Sequence, residues 1–259
     1  MSETSAKMPV LFVGHGNPMN VIEDNEFSRA WAEAGKSLPK PRAILCVSAH
    51  WVTRGTLVTA MDRPRTIYDF YGFPPEMYEL RYDAPGSSDL AEQVRRIIKN
   101  TEVKPDLDWG LDHGTWTVLA RMFPKADVPV IQMSLDANIE PQKHYDIARQ
   151  MKELRREGVL IVGSGNIVHN LRMARFDDSA YDWAVEFDQR IANWVEQNDH
   201  EPIIHFEGGD QAASLAINSA EHYVPLLYSL ALKDEDDSVS FFAEKVMGGS
   251  ISMRSVKIG

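Results

Sequence analysis

Three short runs in this chain hold no charged or hydrogen-bonding side chain: Leu11-Phe12-Val13, Ala43-Ile44-Leu45-Cys46-Val47 and Val159-Leu160-Ile161-Val162. A strand with one wetted face alternates apolar and polar residues, so unbroken apolar runs call for burial on both faces. Longer amphipathic stretches separate them, and the alternation predicts an α/β fold: a central, mostly parallel or mixed sheet covered by helices. Strands are expected over residues 9–13, 43–48, 57–60, 128–133, 159–162, 238–242 and 252–257.

Helical stripes lie between these runs. Phe27, Ala30, Trp31, Ala34 and Leu38 follow helical spacing, as do Leu90, Val94, Ile97 and Ile98 after Asp89, with Glu92 closing a capping box. Two more stripes are Ile147, Met151 and Leu154, ending at Gly158, and Trp183, Phe187, Ile191, Trp194 and Val195. Segments 61–86 and 104–116 are rich in Pro, Gly, Asp and aromatics without helical period, and are expected to be long ordered loops. No boundary interrupts the pattern, so one domain is expected over 9–259, after a short disordered segment at 1–8.

A net charge of −11 argues against an overall grip on nucleic acid or an anionic membrane. No stretch approaches the ~18 apolar residues of a membrane span. The single cysteine, Cys46, lies in an apolar run, which reads as a buried thiol in a reducing cytoplasm.

The eight histidines are not placed at random. His15 follows the first apolar run in Gly14-His15-Gly16, His50 follows the second in Ser48-Ala49-His50-Trp51, and His169 follows the third in Gly163-Ser164-Gly165-Asn166-Ile167-Val168-His169. Open α/β sheets build their sites at the carboxyl ends of strands, so three such ends each deliver an imidazole. Neutral imidazole is a ligand for zinc or ferrous iron, and convergence of this kind suits a metal at the strand ends. His113, beside Asp112 in Asp112-His113-Gly114-Thr115-Trp116, and His222, leading Glu221-His222-Tyr223-Val224-Pro225, are further candidates. Asp112 is expected to orient a histidine ring. His144 on a surface helix, His200 in a polar turn and His205 need no special role. Ser164 resembles a fragment of a nucleophile elbow, but position 162 is Val rather than Gly.

Taken in order with Ile67-Tyr68-Asp69-Phe70-Tyr71-Gly72-Phe73-Pro74, these motifs resemble the class III extradiol ring-cleavage dioxygenases, and among them the bacterial branch of the 4,5-DOPA dioxygenase type, from residue 9 to the C-terminus. The resemblance implies one mononuclear divalent metal, Fe(II) for activity with Zn(II) able to replace it, and opening of a catechol ring by O₂. It implies His15, His50 and His222 as metal ligands, His169 as acid/base and as a fourth ligand under zinc, and His113 as a second histidine of the substrate pocket. The Tyr68-to-Pro74 loop is a candidate wall. The partners implied are a small catechol and O₂, for a cytoplasmic monomer or small homo-oligomer. The wider class commonly has glutamate where His222 stands, so three imidazoles here carry less negative charge and suit zinc at least as well. Two other readings stay open: a zinc hydrolase using the same histidines, and a non-catalytic protein of the Memo type, which resembles this fold.

Overall fold

The computed structural model describes residues 7–259 except 176. Side-chain alternation shows why the apolar runs are unbroken. In β1 (Val10–Gly14), Val10 and Phe12 enter one core while Leu11 and Val13 enter the other. Likewise Leu45 and Val47 of β2 (Ala43–Thr53) oppose Ile44 and Cys46, and Val159 and Ile161 of β6 (Val159–Gly165) oppose Leu160 and Val162. Each strand thus serves two hydrophobic cores.

The remaining strands are β3 (Thr56–Thr59), β4 (Val103–Asp106), β5 (Val130–Asp136), β7 (Val239–Phe242), β8 (Val246–Met247), β9 (Ile251–Ser252) and β10 (Ser255–Ile258). Among the described residues eight strands form one mixed sheet in the order β4-β3-β5-β2-β6-β1-β10-β7, and β8 and β9 form a separate hairpin. The central four, β5, β2, β6 and β1, are mutually parallel, so their carboxyl ends share one edge. Helices α1 (Glu26–Ser37) and α3 (His113–Met122) cover one face through Phe27, Trp31, Trp116 and Leu119. The other face is covered by α2 (Ser88–Ile97), α4 (Pro141–Arg149), α5 (Asp182–Glu196) and α8 (Val224–Leu230), with short α6 (Glu201–Ile204) and α7 (Gln211–Ala216) beside them.

Several boundaries differ from expectation. Helix α2 starts earlier, because Ser87 rather than Asp89 caps it by accepting from Leu90 N, while Glu92 pairs with Arg95. Strand β4 falls in a segment expected to be loop; Pro105 is tolerated because β4 is an edge strand. The same segment's end is helical, since Asp112 caps α3 and places His113 in its first turn. The expected strand 252–257 is divided between β9 and β10. The stripe ending at Gly158 is α4 followed by a 3₁₀ turn, Lys152–Arg155. Of the segment 1–8 expected to be disordered, 1–6 lie outside the described residues, but Met8 is buried and its N–H donates to Arg155 O, so the ordered chain extends further than residue 9. His144, expected on a surface, is buried against Tyr228 with Nδ1 3.0 Å from the hydroxyl.

Candidate metal centre and substrate cavity

The histidines converge because of where the strands end. His15 is the first residue past β1, and its N–H donates to Gly165 O at the end of β6. His50 lies within β2, which continues to Thr53 rather than stopping at residue 48; its register against β5 shifts between Val47 and Val52. That irregularity carries His50 in a stretch out of step with its neighbour. His222 precedes α8, and its carbonyl accepts from Asn166 N just past β6. A side chain on Gly165 would stand 2.0 Å from this carbonyl, and one on Gly163 would stand 2.3 Å from Pro225 O. Residues 163 and 165 face the same way along a strand, so two glycines let the start of α8 abut the sheet while Ser164 points to the opposite face. The Gly-Ser-Gly sequence is therefore a packing surface with a hydroxyl on its reverse, which explains its composition without a nucleophile elbow.

Ser164 Oγ donates its single proton to Gly114 O at 2.6 Å, so toward His15 Nδ1, 3.0 Å away, it acts as acceptor. The proton of neutral His15 is thereby on Nδ1 and the lone pair on Nε2. His50 Nδ1 faces Asp69 Oδ2 at 3.4 Å, longer than a hydrogen bond, and the carboxylate's charge favours the proton on Nδ1 there. With both protons on Nδ1, the two Nε2 atoms face each other 3.1 Å apart as lone pairs. Facing lone pairs repel, and a cation between them removes the conflict; two nitrogens at ~2.0–2.1 Å from a tetrahedral ion lie about 3.3 Å apart. His15, His50 and His222 each offer a nitrogen within 4.8 Å of the others, and His222 Nδ1 is buried without a hydrogen-bond partner. These residues fit a divalent metal. Burial pushes His15 and His222 well below the ordinary histidine value, with neighbouring histidines adding to the effect. Burial and then His113 push His50 down to about 3. All three rings are neutral at pH 7, the form that ligates.

His169 stands outside this trio, stacked on the His222 ring with centroids 3.5 Å apart and planes 7° from parallel. Burial lowers it to about 4, with Glu221 pulling the other way. His113 packs beside His50, centroids 3.9 Å apart. Its orienting carboxylate is not Asp112, as expected from the sequence, but Asp69: Oδ2 lies 2.9 Å from His113 Nδ1 and Oδ1 accepts from His113 N at 2.8 Å. Asp112 is occupied elsewhere, accepting from Ser48 Oγ, Thr115 N and Gln132 Nε2, and burial, followed by repulsion from Asp69, raises it to about 6. Asp69 was legible only as part of an aromatic loop, 44 residues from the histidine it orients. His200 and His205 stay outside the site, His200 on Tyr145 and His205 exposed near Glu201.

The five histidines line a cavity of about 480 Å³. Phe70 and Phe73 from the expected wall loop contribute, together with Phe27, Leu171, Ile251 and Met253. Apolar walls above a ring of imidazoles suit a small aromatic molecule carrying polar atoms at one end.

Residues 8–252 match the family described as the catalytic LigB subunit of aromatic ring-opening dioxygenase, and the chain belongs to that family of metal-dependent, ring-opening enzymes. It is an extradiol dioxygenase, which decides among the three readings the sequence left open. The chain is 44% identical to the 4,5-DOPA dioxygenase extradiol of Escherichia coli (strain K12), over 99% of this chain and 96% of that protein. It is 34% identical to the 4,5-DOPA dioxygenase extradiol of Beta vulgaris, over 95% and 94% respectively. The crystal structure of an uncharacterised Escherichia coli K12 protein superposes with a TM-score of 0.85 at 40% identity, covering 97% of this chain and all of that one. Among the described residues no helix is long and apolar enough to cross a membrane.

Proposed function

We propose that this chain opens the ring of a DOPA-like catechol with O₂, using one divalent metal held by His15, His50 and His222, with Fe(II) as the active ion and Zn(II) able to occupy the same ligands. The observation that carries the metal assignment is the convergence of His15, His50 and His222 in one cavity, with the Nε2 atoms of His15 and His50 3.1 Å apart. A divalent metal held by His15, His50 and His222 would supply Lewis-acid activation of the catechol and a route for electron transfer to O₂. The protein's own residues supply orientation and proton handling. His169 lines the cavity and accepts a phenolic proton as the catechol enters, then returns a proton during ring opening. His113 hydrogen-bonds the substrate from the other side of His50, its ring held by Asp69. Phe70 and Phe73 pack against the aromatic ring and exclude water. The same reading places the enzyme in the cytoplasm, where the buried Cys46 stays a thiol.

The test is anaerobic reconstitution with Fe(II), then O₂ uptake across a panel of catechols while watching for a yellow ring-opened product. One O₂ consumed per catechol is expected. Absence of O₂ uptake with every catechol in metal-loaded protein would overturn the assignment.

A further inference from the structure

We propose that Asp69 is a positioning residue that sets the protonated nitrogen of two histidines at once and supplies negative charge to an all-imidazole ligand set. One oxygen, Oδ2, lies 2.9 Å from His113 Nδ1 and 3.4 Å from His50 Nδ1, while Oδ1 is held by His113 N at 2.8 Å. An ionised carboxylate only accepts, so the hydrogen bond puts the His113 proton on Nδ1, and the same charge beside His50 Nδ1 favours that nitrogen for the His50 proton. His50 thereby offers Nε2 toward His15, and His113 keeps an acceptor nitrogen in the same cavity. With His15, His50 and His222 as ligands, no carboxylate belongs to the set. A carboxylate beside the far side of a ligating imidazole, as Asp69 stands beside His50, raises the basicity of that ring and partly restores the missing charge.

This inference rests on the proposed metal centre, and its test separates the two. Asp69→Asn keeps the shape of the side chain, removes the charge and presents an N–H₂ group that cannot accept. Two-bond ¹H–¹⁵N spectra of the histidine rings, with and without Zn(II), read which nitrogen is protonated; chelator competition reads Zn(II) affinity. The expected result is a shift of His113, and of His50 in the zinc-free protein, toward the Nε2–H form, with Zn(II) bound roughly 10- to 100-fold more weakly. Partial return of both signals in Asp69→Glu is also expected. Unchanged ring protonation with a Kd within about two-fold of the parent protein overturns the proposal. Failure of the parent protein to bind Zn(II) would count against the metal centre alone, because the ring spectra of the zinc-free protein still report on Asp69.

A different observation concerns the mouth of the cavity, where the geometry points to Arg175 as the residue that selects catechols bearing a carboxylate. Among the described residues lining the cavity, Arg175 is the one Lys or Arg. Its guanidinium lies over the Tyr181 ring, 4.0 Å from the centroid, and its Nη1 donates to Ser179 Oγ at 3.3 Å. Its backbone N–H donates to Gly248 O at 2.8 Å, so both ends of the residue are held. A guanidinium has five donors, and Ser179 takes one. In a protein of net charge −11, Arg175 is the one guanidinium or ammonium of a cavity whose lining also holds the carboxylates of Glu23 and Asp69, and it offers the matching charge for an acidic side arm once the two hydroxyls are at the histidines.

This second inference also rests on the proposed ring-opening reaction. The test compares 3-(3,4-dihydroxyphenyl)propionate with uncharged 4-methylcatechol in the Fe(II)-loaded parent and in Arg175→Gln. KM for the acid is expected to rise about 10-fold or more, with KM for 4-methylcatechol within about two-fold of the parent. Equal changes for both compounds, or none for the acid, overturn the assignment. Calorimetric binding of the same two compounds to Zn(II)-loaded protein reads the same preference without turnover. Selective, Arg175-dependent binding without ring opening would therefore sink the reaction and leave the subsite standing.

Discussion

At the scale of single residues, the site depends on which nitrogen of each imidazole carries the proton. Ser164 decides this for His15 because its own proton is committed to Gly114 O, Asp69 decides it for His113 through a 2.9 Å hydrogen bond, and its charge stands 3.4 Å from His50 Nδ1. The stacking of His169 on His222 keeps it close to the ligands while leaving it outside the trio. These placements separate two kinds of loss. His15→Ala is expected to abolish stoichiometric metal binding in a folded protein, whereas His169→Ala keeps most of its metal and loses turnover by about 10²-fold or more. Metal analysis and single-turnover rates on both variants check this. Full metal occupancy in His15→Ala, or parent-like turnover in Fe(II)-loaded His169→Ala, would contradict the assignments. Of this arrangement the sequence made the five histidines visible, through their spacing from apolar runs and their motifs. It did not show Asp69, whose partners are distant in the chain, and it suggested Asp112 only because that residue is adjacent to His113.

At the scale of elements, the end of β6 is the critical join. Its Gly163 and Gly165 admit the start of α8 against the strand, and Ser164 faces His15 from the other side. Gly165→Ala places a methyl group 2.0 Å from the His222 carbonyl, in contact with backbone that cannot swing aside. The expected cost is about 1–3 kcal/mol, a fall in Tm of roughly 3–10 °C, together with weaker metal binding because His222 is displaced. Thermal denaturation of the metal-free variant and its metal content measure the two effects; parent-like values for both would show that the join is looser than described. Helix α3 repeats the principle, with the Asp112 cap fixing where the first turn begins and hence where His113 sits. The aromatic and Gly-rich character of 104–116 concealed that helix, because its eight buried residues leave little amphipathic period to read.

At the scale of the whole molecule, the fold holds several histidines neutral in the interior. His144 is far from the cavity in the sequence motifs and absent from its lining, and burial lowers it to about 4. An unfolded histidine titrates near pH 6.5, so between about pH 6.5 and 4 the unfolded chain binds more protons than the folded one. Stability therefore falls as pH drops through that window, and the lowered His15, His50, His169 and His222 act in the same direction in metal-free protein. His144→Gln is expected to reduce the slope of stability against pH there by one proton, about 1.4 kcal/mol per pH unit. Denaturant titrations of the metal-free parent and variant at several pH values test it, and identical slopes would show that His144 is not buried neutral.

The linear chain determined the layered α/β architecture, because an unbroken apolar run is a local property of neighbouring side chains and calls for burial on both faces of a strand. It also marked the histidines at strand ends and carried the family resemblance that residues 8–252 support. Only the tertiary structure decided which carboxylate serves which ring, why Gly163-Ser164-Gly165 has its composition, and that β2 runs on past His50. Those outcomes depend on contacts between segments far apart in the chain, such as Asp69 with His113 and Gly165 with His222. The pattern of neighbouring residues encodes which face is buried; hydrogen-bond direction and backbone clearance are set by what the fold brings to the other side.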